Sequence, residues 1–167
     1  MQLSALARAA GLSLVGDDLP ITGLSFDSRK VAPGDLFVAM PGTKADGTAF
    51  IDDARRRGAV AVCAVRPIDG LPSIVATDPR AALGLLSAAW YGAPARELAL
   101  IGITGTLGKT STAQLVLAAL GASGTPIGVV GSLGVQARGV ADHTLDARLP
   151  STDGMRPPDA PTLHRAP

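Results

Sequence analysis

Apolar positions along the chain recur at helical and at strand spacing, and they predict a series of short elements. The repeat of Leu3, Leu6, Ala7 and Ala10 predicts an N-terminal helix that ends at Gly11. Apolar runs of strand length follow at 21–26, 35–40, 59–65 and 73–76, with a short helix over 50–58 between the second and the third. Strands and helices that alternate in this way are typical of an α/β fold.

A longer helix is predicted between Asp78 and Gly92. Asp78 is a suitable N-cap, and the proline after it is tolerated in the first helical turn. The apolar residues that repeat at helical spacing, and so predict the buried face, are Ala82, Leu85, Leu86 and Ala89. Residues 93–97 then place a proline and two charges between apolar segments, which makes them the best linker candidate.

The second half of the chain opens with an apolar run, Leu98–Ile103, which predicts a fully buried parallel strand. A loop rich in Gly and Thr follows, and then a strand is predicted over 127–130. The helix between them carries apolar residues at helical spacing at positions 113, 116, 117 and 120. This order of elements predicts the start of a parallel α/β sheet. From Gly139 onward the chain is polar and rich in proline, without clear periodicity.

Composition narrows the possible functions. Hydrophobic residues make up 47% of the 167 residues, which excludes global disorder. The net charge is +1 and the longest basic run is Arg55–Arg57, so we expect no nucleic-acid partner, because binding phosphates needs clustered cations. The single cysteine, Cys63, fits a reducing compartment, and no signal peptide or membrane span is predicted. We therefore expect a cytoplasmic protein without a membrane partner.

The clearest chemical motif is GITGTLGKTS at 102–111, between a predicted strand and a predicted helix. Its glycines let the backbone fold tightly, so that N–H groups bind phosphate oxygens at the helix N-terminus. Lys109 is placed to bind the terminal phosphates, and the Thr110 hydroxyl to ligate Mg²⁺. The motif departs from the common P-loop pattern, because its first glycine falls one place early and Ile103 occupies the expected position.

Two other interpretations of this loop stay open. A glycine-rich turn without a ligand would leave Lys109 in solvent. A dinucleotide-binding loop would need the spacing G-x-G-x-x-G and an acidic residue about 20 positions later. The glycines here lie at 102, 105 and 108, and no Asp or Glu occurs between Glu97 and Asp142, which argues against that loop. The same gap leaves no carboxylate for a metal near the loop in sequence.

Two motifs resemble the Mur ligases, ATP-dependent enzymes of peptidoglycan precursor synthesis. Residues 104–110 (TGTLGKT) match the phosphate loop of that family. Residues 27–39 (DSRKVAPGDLFVA), continued by Ala45-Asp46-Gly47, resemble the opening motif of its UDP-binding domain. The chain departs from the family pattern in two places: Leu107 replaces a polar residue, and Arg156-Pro157 replaces a pair of threonines.

The resemblance implies an α/β protein with a UDP-sugar-binding domain at 1–95, followed at 96–167 by the incomplete beginning of a parallel-sheet P-loop ATPase domain. It implies ATP and Mg²⁺ as cofactors. The implied ATP-binding residues are Thr104, Gly105, Thr106, Leu107, Gly108, Lys109 and Thr110, with Lys109 also catalytic and Thr110 also the metal ligand. The implied substrate contacts are Phe26, Ser28, Thr43, Lys44 and Ala45. Because Mur ligases are far longer, we expect an N-terminal portion that performs no ligation by itself.

Within the family, residues 127–134 (IGVVGSLG) favour the member that adds the third peptide residue, meso-diaminopimelate or L-lysine, to UDP-N-acetylmuramoyl-L-alanyl-D-glutamate. Residues 158–165 resemble the next helix start of that member. The alternatives are the family member that adds D-alanyl-D-alanine, and a non-catalytic module that holds a UDP-sugar or a nucleotide. An unrelated P-loop NTPase is disfavoured by the motif at 27–39. The oligomeric state stays open.

Overall fold

A computed structural model of the chain describes residues 1–41 and 47–139. They belong to two compact units, Met1–Ala93 and a second unit that begins at Pro94, inside the predicted linker. The helices are α1 (Leu3–Ala9), α2 (Ile51–Arg56), α3 (Pro79–Trp90) and α4 (Lys109–Ala122). The strands are β1 (Ser13–Val15), β2 (Gly23–Ser25), β3 (Asp35–Val38), β4 (Ala61–Ala64), β5 (Ser73–Val75), β6 (Ile127–Gly131) and β7 (Gly134–Arg138). Short 3₁₀ turns occur at Ser28–Lys30, Gly47–Phe50 and Pro94–Arg96.

The first unit is built on a five-stranded sheet in the order β1-β5-β4-β3-β2. Strands β2 to β5 run parallel, and β1 pairs antiparallel with β5. Every residue of β3 and β4 is buried, as expected for central parallel strands. On one face, Phe37 and Val62 pack with Ile51 and Ala54 of α2. This mostly parallel sheet confirms the predicted α/β class.

Most sequence predictions for the first unit are confirmed, with shorter strands. The predicted face of α1 is buried, and Gly11 follows the helix with φ 69°. Asp78 caps α3, since its Oδ1 accepts hydrogen bonds from the backbone N–H groups of Arg80 (2.9 Å) and Ala81 (3.1 Å). The predicted burial of Leu85 is wrong, because that side chain is 51% exposed. The buried positions of α3 include Ala82, Leu83, Leu86 and Ser87, so the core-facing side of the helix is turned away from Leu85.

The second unit differs from the prediction. Strands β6 and β7 form an antiparallel hairpin in which Gly131 pairs with Gly134, so that Ser132 and Leu133 make a two-residue turn. Strand β7 was not predicted, although Gly134 precedes a segment in which apolar and polar residues alternate. The predicted strand at 98–103 is wrong: the chain is not in a strand there, and Leu100 is 72% exposed. A parallel strand needs hydrogen-bonded neighbours, and in the described part of this unit β6 and β7 pair with each other.

Several predictions fall outside the described residues. They concern Thr43, Lys44 and Ala45 as substrate contacts, Arg156-Pro157, and the helix start at 158–165. Among residues 1–41 and 47–139, no helix combines the length and the apolar character needed to cross a membrane.

Candidate functional site

The loop before α4 is closed by two glycines with left-handed backbone conformations. Gly105 has φ 144° and Gly108 has φ 79°, values that other residues adopt only with strain. Gly108 is the N-cap of α4 and provides no side-chain acceptor for the first N–H groups of the helix. Because four N–H groups at a helix start have no partner within the helix, this end of α4 is suited to an anion.

Lys109 lies against the same loop. Its Nζ donates hydrogen bonds to the carbonyl oxygens of Gly105 and Thr106, the second at 3.5 Å. All seven residues of 104–110 are exposed, and Leu107 is 91% exposed. The residues predicted to bind a nucleotide therefore lie together on one accessible loop. The Lys109 ammonium is beside backbone N–H groups that no side chain caps.

A second polar contact joins this loop to the β6–β7 hairpin. Thr110 Oγ1 lies 3.1 Å from Ser132 Oγ, and either hydroxyl can be the donor. Ser132 was not among the predicted site residues, because no spacing rule connects a hairpin turn to a residue at a helix start 22 positions earlier. A cavity of about 660 Å³ opens beside the two residues Lys109 and Thr110, between residues 99–103 and β6.

The donor set at this site fits a nucleotide-bound Mg²⁺ ion. No group of three or more His, Cys, Asp or Glu side chains that could hold a metal occurs in the described ranges. The oxygens available beside the loop are the hydroxyls of Thr110 and Ser132. Mg²⁺ commonly takes one or two protein ligands and fills its remaining positions with phosphate oxygens and water. One hydroxyl at the helix start is therefore enough to help hold an Mg²⁺ ion that the nucleotide also binds. It is not enough for a metal site that the protein forms alone.

The predicted substrate contacts in the first unit lie just after β2. Phe26 is half-buried and Ser28 is buried at the start of a 3₁₀ turn. Asp27 caps that turn: it accepts a hydrogen bond from the Arg29 backbone N–H at 3.0 Å and from the guanidinium at 2.9 and 2.8 Å. Because β2 to β5 are parallel, Phe26 and Ser28 lie at the carboxyl edge of the sheet, where ligands bind in open α/β folds.

The hydroxyl of Ser28 is engaged by α2. The pKa of the Asp53 carboxyl group is lowered mainly by a hydrogen bond from Ser28. The nearby charges of Arg57 and Arg56 lower it further. Asp53 also forms ion pairs with Arg56 at 3.5 Å and Arg57 at 3.6 Å. Ser28 is thus held in place from within the first unit.

Comparison with known proteins adds to this geometry. Residues 20–91 match the family described as "Mur ligase family, catalytic domain". The matched residues include β2 to β5 and end before the phosphate loop. A UDP-N-acetylmuramoyl-L-alanyl-D-glutamate--2,6-diaminopimelate ligase from Xanthomonas oryzae pv. oryzae (strain MAFF 311018) is 46% identical over 132 residues, which is 76% of this chain and 27% of that protein. The chain thus spans about a quarter of the length of the curated relatives it matches.

Solved structures of similar fold include two ligases. One is a UDP-N-acetylmuramoyl-L-alanyl-D-glutamate--2,6-diaminopimelate ligase, with a TM-score of 0.66 over 99% of this chain and 33% of that chain. At 21% identity it supports the fold alone. The other is UDP-N-acetylmuramoylalanyl-D-glutamyl-2,6-diaminopimelate--D-alanyl-D-alanyl ligase from Acinetobacter baumannii, with 29% identity and a TM-score of 0.55 over 72% of this chain and 28% of that one.

Proposed function

The chain belongs to the Mur ligase family, and from this premise we propose that it is the N-terminal portion of an ATP-dependent amide-bond ligase of peptidoglycan precursor synthesis. The whole protein would add 2,6-diaminopimelate to UDP-N-acetylmuramoyl-L-alanyl-D-glutamate. The 46% identity to the Xanthomonas ligase carries this proposal. The D-alanyl-D-alanyl ligase matches at 29%, which favours the enzyme that adds the third residue over the one that adds D-alanyl-D-alanine.

We assign the two units different tasks. Residues 1–95 would bind the UDP part of the substrate at the carboxyl edge of the sheet, through Phe26 and Ser28 and through Thr43, Lys44 and Ala45, which lie outside the described residues. Residues 96–167 would begin the ATP-binding domain. The parallel strands β2 to β5 support the first task, and the uncapped start of α4 supports the second.

The chemistry assigned to the second unit is binding and orientation. The N–H groups of 104–110 and the Lys109 ammonium would hold the phosphates, with Thr110 as a ligand of Mg²⁺. When bound, Mg²⁺–ATP supplies the phosphoryl group that activates the D-glutamyl carboxylate for attack by the incoming amine. Lys109 and the loop N–H groups, fixed before the reaction, would stabilise the negative charge of the phosphoryl group during transfer.

Two separate titrations of the 167-residue chain test this proposal. We expect Mg²⁺–ATP and UDP-N-acetylmuramoyl-L-alanyl-D-glutamate to bind independently in calorimetry, and Ser28→Ala to weaken binding of the UDP substrate alone. Ser123→Ala, at the far end of α4, is the matched control and should change neither affinity. If the UDP substrate shifts no NMR resonance near Phe26 and Ser28, the assignment of the first unit is wrong.

A third measurement concerns activity. The purified chain, given Mg²⁺–ATP, the UDP-muramoyl dipeptide and diaminopimelate, should yield no tripeptide detectable by mass spectrometry. The reason is that the amine must be held against the activated carboxylate, and such positioning contributes up to about 7–11 kcal/mol to catalysis. The matched residues make up only 27% and 25% of the length of two of the relatives. Tripeptide product would show that these residues suffice for the whole reaction.

A further inference from the structure

Three contacts define how α4 meets the β6–β7 hairpin within the second unit. Thr110 Oγ1 contacts Ser132 Oγ at 3.1 Å, and Gln114 Nε2 donates a hydrogen bond to Gln136 Oε1 at 2.9 Å. Near the end of the helix, a Cβ on Gly121 would lie 2.8 Å from Arg138 Cδ, so the absence of a side chain there permits close approach. Thr110 and Gln114 are one helical turn apart, which places both on the side of α4 that faces the hairpin.

These contacts fix the position of the hairpin turn. Ser132 and Gln136 are four residues apart on the hairpin, and they meet side chains four residues apart on the helix. The Gln114–Gln136 pair is partly buried, so that it is protected from competing water. The pairing of Gly131 with Gly134 leaves only two residues in the turn, which restricts where Ser132 can lie. The hydroxyl of Ser132 is therefore held next to Thr110 by the packing of the hairpin on α4.

The chemistry of a hydroxyl gives this contact a consequence. A hydroxyl has one hydrogen and two lone pairs, and it can ligate a cation only when a lone pair faces the ion and the hydrogen points elsewhere. Residues that ligate metals commonly give their remaining hydrogen to a neighbouring acceptor, which fixes the orientation of the ligand. Ser132 Oγ lies 3.1 Å from Thr110 Oγ1, within reach to act as such an acceptor.

We propose that Ser132 is a positioning residue: its Oγ accepts the hydroxyl hydrogen of Thr110, and this directs a lone pair of Thr110 toward Mg²⁺ at the phosphate loop. The inference rests on the proposed nucleotide site at residues 104–110 and adds to it a residue from the hairpin. Ser132 touches neither nucleotide nor metal in this role. Its contribution is to the metal-dependent part of nucleotide affinity.

The test compares nucleotide binding with and without the metal. The dissociation constant of the 167-residue chain for ATP is measured by calorimetry in Mg²⁺ and again in EDTA, and the ratio of the two values gives the strengthening due to Mg²⁺. In Ser132→Ala we expect that strengthening to fall by about tenfold, with the affinity in EDTA unchanged. Ser132→Thr keeps an acceptor hydroxyl and should restore it. Ser123→Ala is the matched control at the other end of α4.

A double-mutant cycle with Thr110→Val isolates the pair. Thr110→Val removes the proposed ligand, so adding Ser132→Ala to it should cost no further Mg²⁺-dependent affinity. Circular dichroism of each variant verifies that α4 and the hairpin are formed.

Each alternative outcome has a distinct meaning. If Ser132→Ala keeps the wild-type response to Mg²⁺, the positioning role is wrong and the nucleotide site stands. If it weakens ATP equally in Mg²⁺ and in EDTA, Ser132 acts on the loop or on the phosphates directly, and the inference is again wrong. If the wild-type chain binds no ATP in either condition, the nucleotide site fails and the inference fails with it.

Discussion

The two units of this chain differ in how much of their apolar surface they bury. Among the described residues, Leu117 is the one buried hydrophobic side chain outside the first unit. The second unit exposes Leu100, Ile101 and Leu115 by 72%, 71% and 71%. The first unit therefore closes its own core, whereas the candidate nucleotide loop lies on a unit with little core.

The helix starts repeat this contrast. At α3, Asp78 accepts two backbone N–H groups and closes the end of the helix. At α4, the N-cap is Gly108 and those groups receive no side-chain acceptor. A cap such as Asp78 contributes typically about 1 kcal/mol to stability, and α4 forgoes it. The second unit therefore lacks the stabilising side-chain cap at the helix start where an anion would bind.

The largest expected difference between the units is in cysteine reactivity. Cys63 is fully buried in β4, and burial raises the pKa of its thiol to about 12, so it reacts only when the first unit opens. An unfolding free energy of at least about 5 kcal/mol predicts labelling by a thiol reagent at least about a thousandfold slower than in urea. Mass spectrometry after timed labelling measures this, since Cys63 is the single cysteine.

A cysteine in the second unit provides the matched comparison. In Cys63→Ala/Leu117→Cys, the only thiol lies at the one buried position of α4. We expect much weaker protection, because Leu117 is the one buried hydrophobic side chain among the described residues of the second unit. Equal protection at the two positions would contradict the contrast between the units.

Two neighbouring leucines of α3 give the next largest effect. Leu86 has no exposed surface and Leu85 is 51% exposed, so the pair differs in burial and not in residue type. Leu86→Ala should lower the free energy of unfolding by about 2–5 kcal/mol, because a cavity remains in the core. Leu85→Ala should change it by about 0.5 kcal/mol or less. Urea unfolding followed by the fluorescence of Trp90, the single tryptophan and part of α3, measures both. Similar losses in the two variants would mean that α3 packs through a different face.

Sequence reasoning succeeded where local rules decide the structure. The helical spacing of Leu3 and Leu6, the cap at Asp78 and the glycines at 105 and 108 act through neighbouring residues, and the structure has them as predicted. Elements whose structure depends on residues distant in sequence were not predicted correctly. Residues 98–103 have the composition of a buried strand, but β6 and β7, the strands described in their unit, pair with each other and not with them.

The same limit applies within elements and at the site. The spacing from Ala82 does not tell whether the core lies toward Leu85 or toward Leu83, because that depends on how the sheet and α1 cover the helix. The contact between Thr110 and Ser132 depends on a hairpin whose second strand was not predicted. The loop itself was predictable from its glycines and lysine, and its polar neighbour was not.

A change at the phosphate loop should separate binding from stability. Lys109→Ala removes a charged hydrogen-bond donor worth about 1.5–3 kcal/mol, so Mg²⁺–ATP should bind roughly ten- to a hundredfold more weakly. Calorimetry measures the affinity. Labelling of Cys63 should be unchanged, because Lys109 is exposed and lies outside the first unit. Equal ATP affinities for the two forms would refute the phosphate-loop assignment.

The smallest expected effect is the acid sensitivity of the turn after β2 in the first unit. The pKa of Asp27 lies below its ordinary value of 3.8, mainly because the Arg29 guanidinium donates hydrogen bonds to the carboxylate. Because the folded-state pKa is the lower one, this carboxylate contributes stability above the unfolded-state pKa, and the contribution is lost as pH falls through the folded-state value. The contribution is small, since the Arg29 side chain is 81% exposed and solvent screens the pair.

Asp27→Asn should therefore lower the urea midpoint, followed by Trp90 fluorescence, slightly at pH 7 and not at pH 2. Asp69→Asn, at a carboxylate without an ion pair among the described residues, is the control. If Asp27→Asn lowers the midpoint equally at both pH values, the ionised carboxylate is not what stabilises the turn, and the charge of Asp27 has no part in holding Ser28 at the edge of the sheet.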